Sequence, residues 1–262
     1  MKNKIKANNT EIAYRDRGEG KAIIFLHAFP LSQIMWDDQI DQLSTSHRVI
    51  TFDWRGFGDS RLGDGIASLD LFADDLAALM DGLSIQKATI CGLSMGGYAA
   101  LAFFRRHGHR IEKLILADTR ATTDTEEGRR GRFETAEAVR LHGVEVIVET
   151  MIPRLVGETS LKNRHHVCDK VRSMIKSADP ETVAQALIAM AGRSDSSELL
   201  AEINIPTLII VGSEDKLTPP VEAEFIRQGI PNSQIFIING AGHLPNMESP
   251  ADFNLAIENF LK

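Results

Sequence analysis

Residues Cys91 to Ala100 read CGLSMGGYAA, a serine among three glycines where an apolar β-branched run stops and a helical pattern begins. A strand ending at Gly92 and a helix opening at Met95 leave room only for a very sharp turn. The residue at its apex takes a strained backbone conformation, and its neighbours two positions either side are crowded together. Gly92 and Gly96 remove the Cβ atoms that would collide there. The apex residue is Ser94, with its hydroxyl pushed out and the N–H groups and dipole of the following helix aimed at any anion that forms on it. This G-x-S-x-G pattern suits nucleophilic attack. A phosphate-binding loop would want Lys-Ser or Lys-Thr beside the glycines, and neither is present.

A serine hydroxyl is a weak nucleophile until a histidine takes its proton and an acid orients that histidine. Downstream, GSEDKLTPP (212–220) follows the run TLIIVG and places Asp215 at a strand's carboxyl end. After QIFIIN comes GAGHLPNMESP (240–250), with His243 in a glycine-rich loop at the same edge. Three loops meeting at one edge make Ser94, Asp215 and His243 the candidate catalytic residues. Glu214 and Asp118, the latter ending KLILAD, are rival acids. Asp215 ranks first because its loop follows the strand just before the histidine's own. Among the eight histidines, His107 and His109 fall at a helix end, where they complement the dipole. His165 and His166 lack a third ligand at metal spacing, so no metal is expected.

A tetrahedral intermediate needs two N–H donors, one just after the nucleophile and one from the loop that follows AIIFLH. These are the backbone N–H groups of Met95 and Phe29, the candidate oxyanion hole. His27 is expected to tie that loop rather than carry protons, and Trp36 is a candidate wall of the substrate pocket. Asp53 and Arg55 in DWRGFGDS (53–60) are expected to lock the adjoining loop by charge-assisted hydrogen bonds. The arginines of GRRGR (128–132) alternate with acids, which suits a solvated helix face, although a substrate carboxylate is another possible partner.

The elements that must hold these groups are legible as six short apolar runs: 22–27, 48–53, 88–92, 113–118, 206–212 and 234–239. Their hydrophobicity is continuous rather than alternating, as in strands of a parallel sheet covered on both faces. Helical patterns lie between them. Leu69, Phe72, Leu76, Leu79 and Leu83 repeat at three- and four-residue spacing, and Ser249-Pro250 opens a last helix carrying Phe253, Ile257 and Phe260. The alternation predicts an α/β sheet with right-handed crossovers. It breaks once: from about 121 to 200 only amphipathic helical stretches occur, an insertion placed to form a lid over the strands' carboxyl ends.

At 262 residues, 43% hydrophobic and 25% charged, the chain suits one large domain or a core with an insertion. A net charge of −7 supplies no basic surplus for nucleic acid or for an anionic membrane. Two distant cysteines give no disulfide framework, and the amino-terminal stretch has no apolar signal region, so a cytoplasmic location is expected.

In LHAFP, DWRGFGDS, GLSMGG, GSEDKLTPP and GAGHLPNMESP, taken in order and spacing, the chain resembles the α/β-hydrolase superfamily over nearly its whole length. Ala28 departs from the glycine usual after the loop histidine. Within the superfamily it is similar to small lid-bearing carboxylesterases, 3-oxoadipate enol-lactonases and cofactor-free haloperoxidases. The resemblance implies a mostly parallel sheet flanked by helices, with a helical lid inserted after the sixth core strand; 1–120 and 201–262 form the core and 121–200 the cap. It implies hydrolysis of a small-molecule ester or lactone through an acyl-enzyme, without a cofactor. Enol-lactonase, haloperoxidase or perhydrolase chemistry, and slow-turnover ligand sensing, are the alternatives. Ser94 argues against the dehalogenases and epoxide hydrolases, which carry aspartate at that turn.

Overall fold

Two asparagines, Asn8 and Asn9, turn the chain through the left-handed region at φ +44° and +59°. In the computed structural model, which describes residues 3–65 and 67–262, they close a hairpin of β1 (Asn3–Ala7) and β2 (Thr10–Arg17). Asparagine tolerates positive φ in such two-residue turns. The remaining strands are β3 (Ala22–Leu26), β4 (Arg48–Phe52), β5 (Ala88–Leu93), β6 (Ile111–Ala117), β7 (Thr207–Gly212) and β8 (Ser233–Ile238). They form one sheet in the order β1-β2-β4-β3-β5-β6-β7-β8. From β4 to β8 every pairing is parallel, whereas β2 runs antiparallel to both its neighbours.

The six runs predicted from continuous hydrophobicity are β3 to β8, and β3, β5 and β7 are buried at every residue. The hairpin lies outside those six. Its first strand is one edge of the sheet, opposite β8, and alternates lysines with apolar residues, so it has no continuous apolar run.

Helices α1 (Asp37–Leu43), α2 (Leu69–Gly82), α3 (Met95–His107), α9 (Pro220–Gly229), the single turn α10 (Pro245–Glu248) and α11 (Pro250–Leu261) flank the sheet. Ser68 caps α2 by accepting the Leu71 N–H at 3.0 Å, and the buried face carries Leu69, Phe72, Leu76 and Leu79. The last helix packs on α1, where Gln39 donates to Asn254 in a buried bond of 2.9 Å. Between β6 and β7 the chain passes through five helices: α4 (Glu126–His142), α5 (Glu145–Leu155), α6 (Glu158–Asn163), α7 (His165–Ser177) and α8 (Pro180–Ala191). Thr125 caps α4 and Asp179 caps α8. No described helix is long and apolar enough to cross a membrane.

The loop after β4 is held as expected. Asp53 accepts from the Gln33 N–H and Nε2, both at 2.7 Å, and from the Asp59 N–H at 3.1 Å. Arg55 binds Asp75 through two bonds of 2.6 Å, with the Asp75 side chain wholly buried. Removing one partner of such a pair leaves a charge in an apolar interior, which costs far more than the intact pair contributes. Arg55→Ala is therefore expected to lower unfolding free energy by about 3–5 kcal/mol. Denaturant unfolding reads this, and a loss below about 1 kcal/mol, the scale of an exposed pair, would contradict it.

Candidate active site

Ser94 sits between β5 and α3 at φ +57°, ψ −114°, a conformation L-residues rarely adopt. A methyl group at Gly92 would overlap the Gly96 carbonyl, and one at Gly96 would overlap the Leu26 carbonyl on the neighbouring strand. Only glycine fits at either place. The turn is tied on both sides: the Ser94 N–H donates to the Ala117 carbonyl at 3.0 Å, and the Ser94 carbonyl accepts from Gly97 N, Tyr98 N and Thr119 Oγ1. Met95 opens the helix, so its N–H has no carbonyl to serve within it. Phe29 reaches the same cavity as Ser94 from the loop after β3.

His27, at the start of that loop, is fully buried. Its Nδ1–H donates to the Ala28 carbonyl at 2.9 Å and its Nε2 accepts the Trp54 N–H at 3.0 Å. Burial, opposed by the Asp53 carboxylate and the Ala28 carbonyl, pulls its pKa down to about 4. It is a neutral tie between two loops. Ala28, in the place of the usual glycine, is itself fully buried and donates its N–H to Met35 Sδ at 3.3 Å.

Asp215 and His243 meet at the ends of β7 and β8. His243 Nδ1 lies 2.8 Å from Asp215 Oδ2, and both side chains are almost completely buried. Asp215 accepts three further hydrogen bonds: from Leu217 N at 2.8 Å and Thr218 N at 3.1 Å to Oδ1, and from Thr218 Oγ1 at 2.7 Å to Oδ2. Burial alone would raise the Asp215 pKa, but the charge and hydrogen bond of His243 and the donors from Thr218 outweigh it, leaving the carboxyl below its usual range. An ionised carboxylate only accepts, so His243 Nδ1 is the donor in this bond and Nε2 is left pointing away from it.

Asp118 lies beside this pair in another state. It ends β6 at φ +41°, and its Oδ1 accepts the Gly212 N–H at 2.9 Å. Its Oδ2 is buried without a hydrogen-bond partner among the described residues. Burial first, then the adjacent Asp215 charge, drive its pKa well above the carboxylate range against the single Gly212 bond. Facing atoms of Asp118, Asp215 and His243 fall within 4.8 Å of one another. The Asp215 oxygens and His243 Nδ1 are already engaged by hydrogen bonds, with the Asp118 carboxyl beside them.

Ser94 and His243 open onto one cavity of about 720 Å³. Its other walls come from α4 (Gly128, Gly131, Arg132) and α5 (Ile147, Met151, Arg154), with Tyr98, Arg120 and Leu217 from the core side. Two expectations need correction. Trp36 is not on this wall: it is wholly buried against Phe25 and Phe253, at 4.9 and 6.0 Å between ring centroids. The GRRGR stretch is not uniformly solvated. Arg129 and Arg130 are exposed beside Glu126 and Glu134, whereas Arg132 turns to the cavity and binds Asp124 at 2.6 Å. Buried Arg193, from the end of α8, reinforces Asp124 from the other side at 2.8 Å. That network has no local sequence signal, because its members lie up to 69 residues apart.

The profile of the alpha/beta hydrolase family matches residues 23–256. The chain belongs to the alpha/beta hydrolase family. Among relatives of this hydrolase, 3-oxoadipate enol-lactonase 1 of Acinetobacter baylyi is 33% identical over 241 residues, spanning 92% of this chain and 88% of that protein. Among solved structures, a thermophilic esterase from Thermogutta terrifontis, with malate bound, superposes at a TM-score of 0.96 with 43% identity, covering 100% of this chain and 98% of that one. The enol-lactonase of Burkholderia xenovorans superposes at 0.92 with 28% identity, covering 99% of each.

The state of Asp118 has a consequence for stability. A carboxyl whose pKa is raised on folding binds more protons in the native than in the unfolded chain, so its contribution is present at low pH and declines as pH rises above about 4. Asn is uncharged at every pH and escapes that decline. The melting temperature of Asp118→Asn minus that of the parent is expected to increase from about pH 4 to about pH 7; a difference that decreases over this range would contradict the assignment.

Proposed function

We propose that this hydrolase cleaves small carboxylic esters or lactones through an acyl-enzyme on Ser94. The observation that carries this reading is the buried His243–Asp215 hydrogen bond of 2.8 Å, whose imidazole lines the same cavity as Ser94. In this reading Nε2 of His243 removes the Ser94 proton as the hydroxyl oxygen attacks the acyl carbon. The resulting oxyanion lies against the N–H groups of Phe29 and Met95. The imidazolium, stabilised by Asp215, then protonates the departing alcohol. Water enters and attacks the acyl carbon as His243 removes its proton; His243 then returns that proton to the departing Ser94 oxygen, giving the carboxylic acid and free serine. One oxyanion donor contributes about 2.7–4 kcal/mol of barrier lowering in such cycles.

Residues 121–200 act in this reading as a cap over the core formed by 1–120 and 201–262. Their α4 and α5 residues supply much of the wall of the cavity that Ser94 lines, which supports the role. A cap of this kind excludes water until the acyl-enzyme is formed and sets the shape of the acyl group admitted.

A second reading narrows the substrate to esters or lactones that carry a carboxylate. Arg154 lines the cavity, and no described carboxylate is within ion-pair distance of it. Arg120 lies on the same wall, 3.9 Å from its one acid, Glu222. The malate bound to the Thermogutta esterase and the enol-lactonase names of two relatives point the same way.

Turnover of short-chain p-nitrophenyl esters tests the first reading. Ser94→Ala is expected to fold normally and lose activity by about a thousandfold or more, and a variant within a few-fold of the parent would refute the nucleophile. Asp215→Asn is expected to lose far more activity than Asp118→Asn, and the reverse order would move the acid. For the second reading, Arg154→Ala is expected to raise KM for a carboxylate-bearing lactone about tenfold, as loss of one charge-assisted hydrogen bond implies, while leaving neutral esters unaffected. An equal effect on both would exclude the anion site.

A further inference from the structure

Glu248 ends α10 with its carboxylate buried, 2% exposed, five residues beyond His243. Three backbone N–H groups converge on it. Gly242 N and Leu244 N, one on each side of His243, donate to Oε1 at 2.9 and 3.1 Å. Gly157 N donates to Oε2 at 2.9 Å. Gly157 belongs to the short link between α5 and α6, within the helical insertion.

The first turn of α6, just beyond this link, is held as well. Thr159 donates through its N–H at 2.8 Å and its Oγ1 at 2.5 Å to Glu214, the residue next to Asp215. The fit leaves no room for a side chain: a Cβ on Gly157 would come within 2.7 Å of both Glu214 Oε2 and Gly242 N. Residues 157–159 are thus hydrogen-bonded to the neighbour of the acid and to the carboxylate that spans the histidine.

We infer that Glu248 is a positioning residue: it fixes the peptides flanking His243 and, through Gly157, couples the seating of the insertion to the reach of the imidazole. This rests on the role proposed for His243. The Asp215 bond by itself restrains one ring nitrogen and leaves the ring free to tilt about it. Clamping the backbone on both sides of residue 243 fixes the point from which the side chain starts, so that with the Asp215 bond both ends of its reach are set, and a misplacement of about 1 Å in such a group is enough to cost about a hundredfold in rate.

Two substitutions separate the parts of this device. In Glu248→Gln the amide oxygen goes to the two donors that flank His243, since the opposite orientation would set the NH₂ against both of them. The NH₂ then meets the Gly157 N–H, so only the link to the insertion is cut. Glu248→Leu removes all three acceptor contacts. The tests are kcat and KM on p-nitrophenyl butyrate, thermal unfolding, and the far-downfield proton signal of His243 Nδ1–H, which needs no turnover.

Glu248→Leu is expected to lower kcat about a hundredfold with KM within about threefold of the parent, and to shift or broaden the downfield signal in a protein that still unfolds cooperatively. Glu248→Gln is expected to lower kcat about tenfold, with a smaller change in the signal. A parent-like kcat and signal in both variants would overturn the inference, as would a loss of kcat with the signal unchanged. If Glu248→Leu does not fold, Glu248→Gln alone decides by the same two readouts. Should the parent protein prove inactive on every ester while the signal still responds to Glu248, the proposed function fails and the positioning role stands.

Discussion

The backbone at Ser94 is the constraint around which the rest is arranged. A non-glycine residue at φ +57°, ψ −114° carries about 1–3 kcal/mol of strain and persists only where its surroundings leave no alternative. Here β5 lies inside the sheet between β3 and β6, and α3 folds back onto it so closely that Gly92 meets the Gly96 carbonyl and Gly96 meets the Leu26 carbonyl. Hydrogen bonds from Ser94 N to Ala117 and from Thr119 to the Ser94 carbonyl hold the apex to β6 and the loop after it. The strain is offset by a buried sheet, and Ser94 is left lining a cavity.

Parallel pairing does the remaining placement. Strands β3, β5, β6, β7 and β8 run in one direction, so the loops carrying Phe29, Ser94, Asp118, Asp215 and His243 all emerge at the same edge. Two of these residues are buried carboxyls side by side, and their surroundings drive them apart. Asp215 has four hydrogen-bond donors, including the imidazole, and Asp118 has one. The first is the partner that an imidazolium needs; the second is better suited to stay neutral. Identical chemistry is divided by the number of donors each loop turns inward.

Much of this arrangement is legible in the sequence because it depends on local grammar. Continuous apolar runs mark the six strands β3 to β8, including β8 at the far edge, where Phe236 and Ile237 are exposed, and the glycines around Ser94 mark the turn. The loops of Asp215 and His243 follow those strands directly. What is not legible has a common physical cause. The β1–β2 hairpin lies at one edge of the sheet, and its strands NKIKA and TEIAYRDR mix charged with apolar residues, so neither offers a continuous apolar run. Trp36 could stand in core or pocket by composition alone, and its packing on Phe25 and Phe253 decides for the core. Glu248 carries no legible role within GAGHLPNMESP, since its partners are backbone N–H groups, which have no residue identity, and one of them is 91 residues away. Arg132 and Arg193 likewise meet Asp124 only after α4 and α8 have packed.

If the strained turn exists to present an activated alcohol, that alcohol should be the protein's most reactive serine. Reaction with a fluorophosphonate followed by peptide mapping reads this directly. The account requires one phosphonyl group per chain, on Ser94, and loss of that labelling when His243 is replaced by Gln. Labelling on any other serine, or labelling of Ser94 at an undiminished rate without His243, would contradict it.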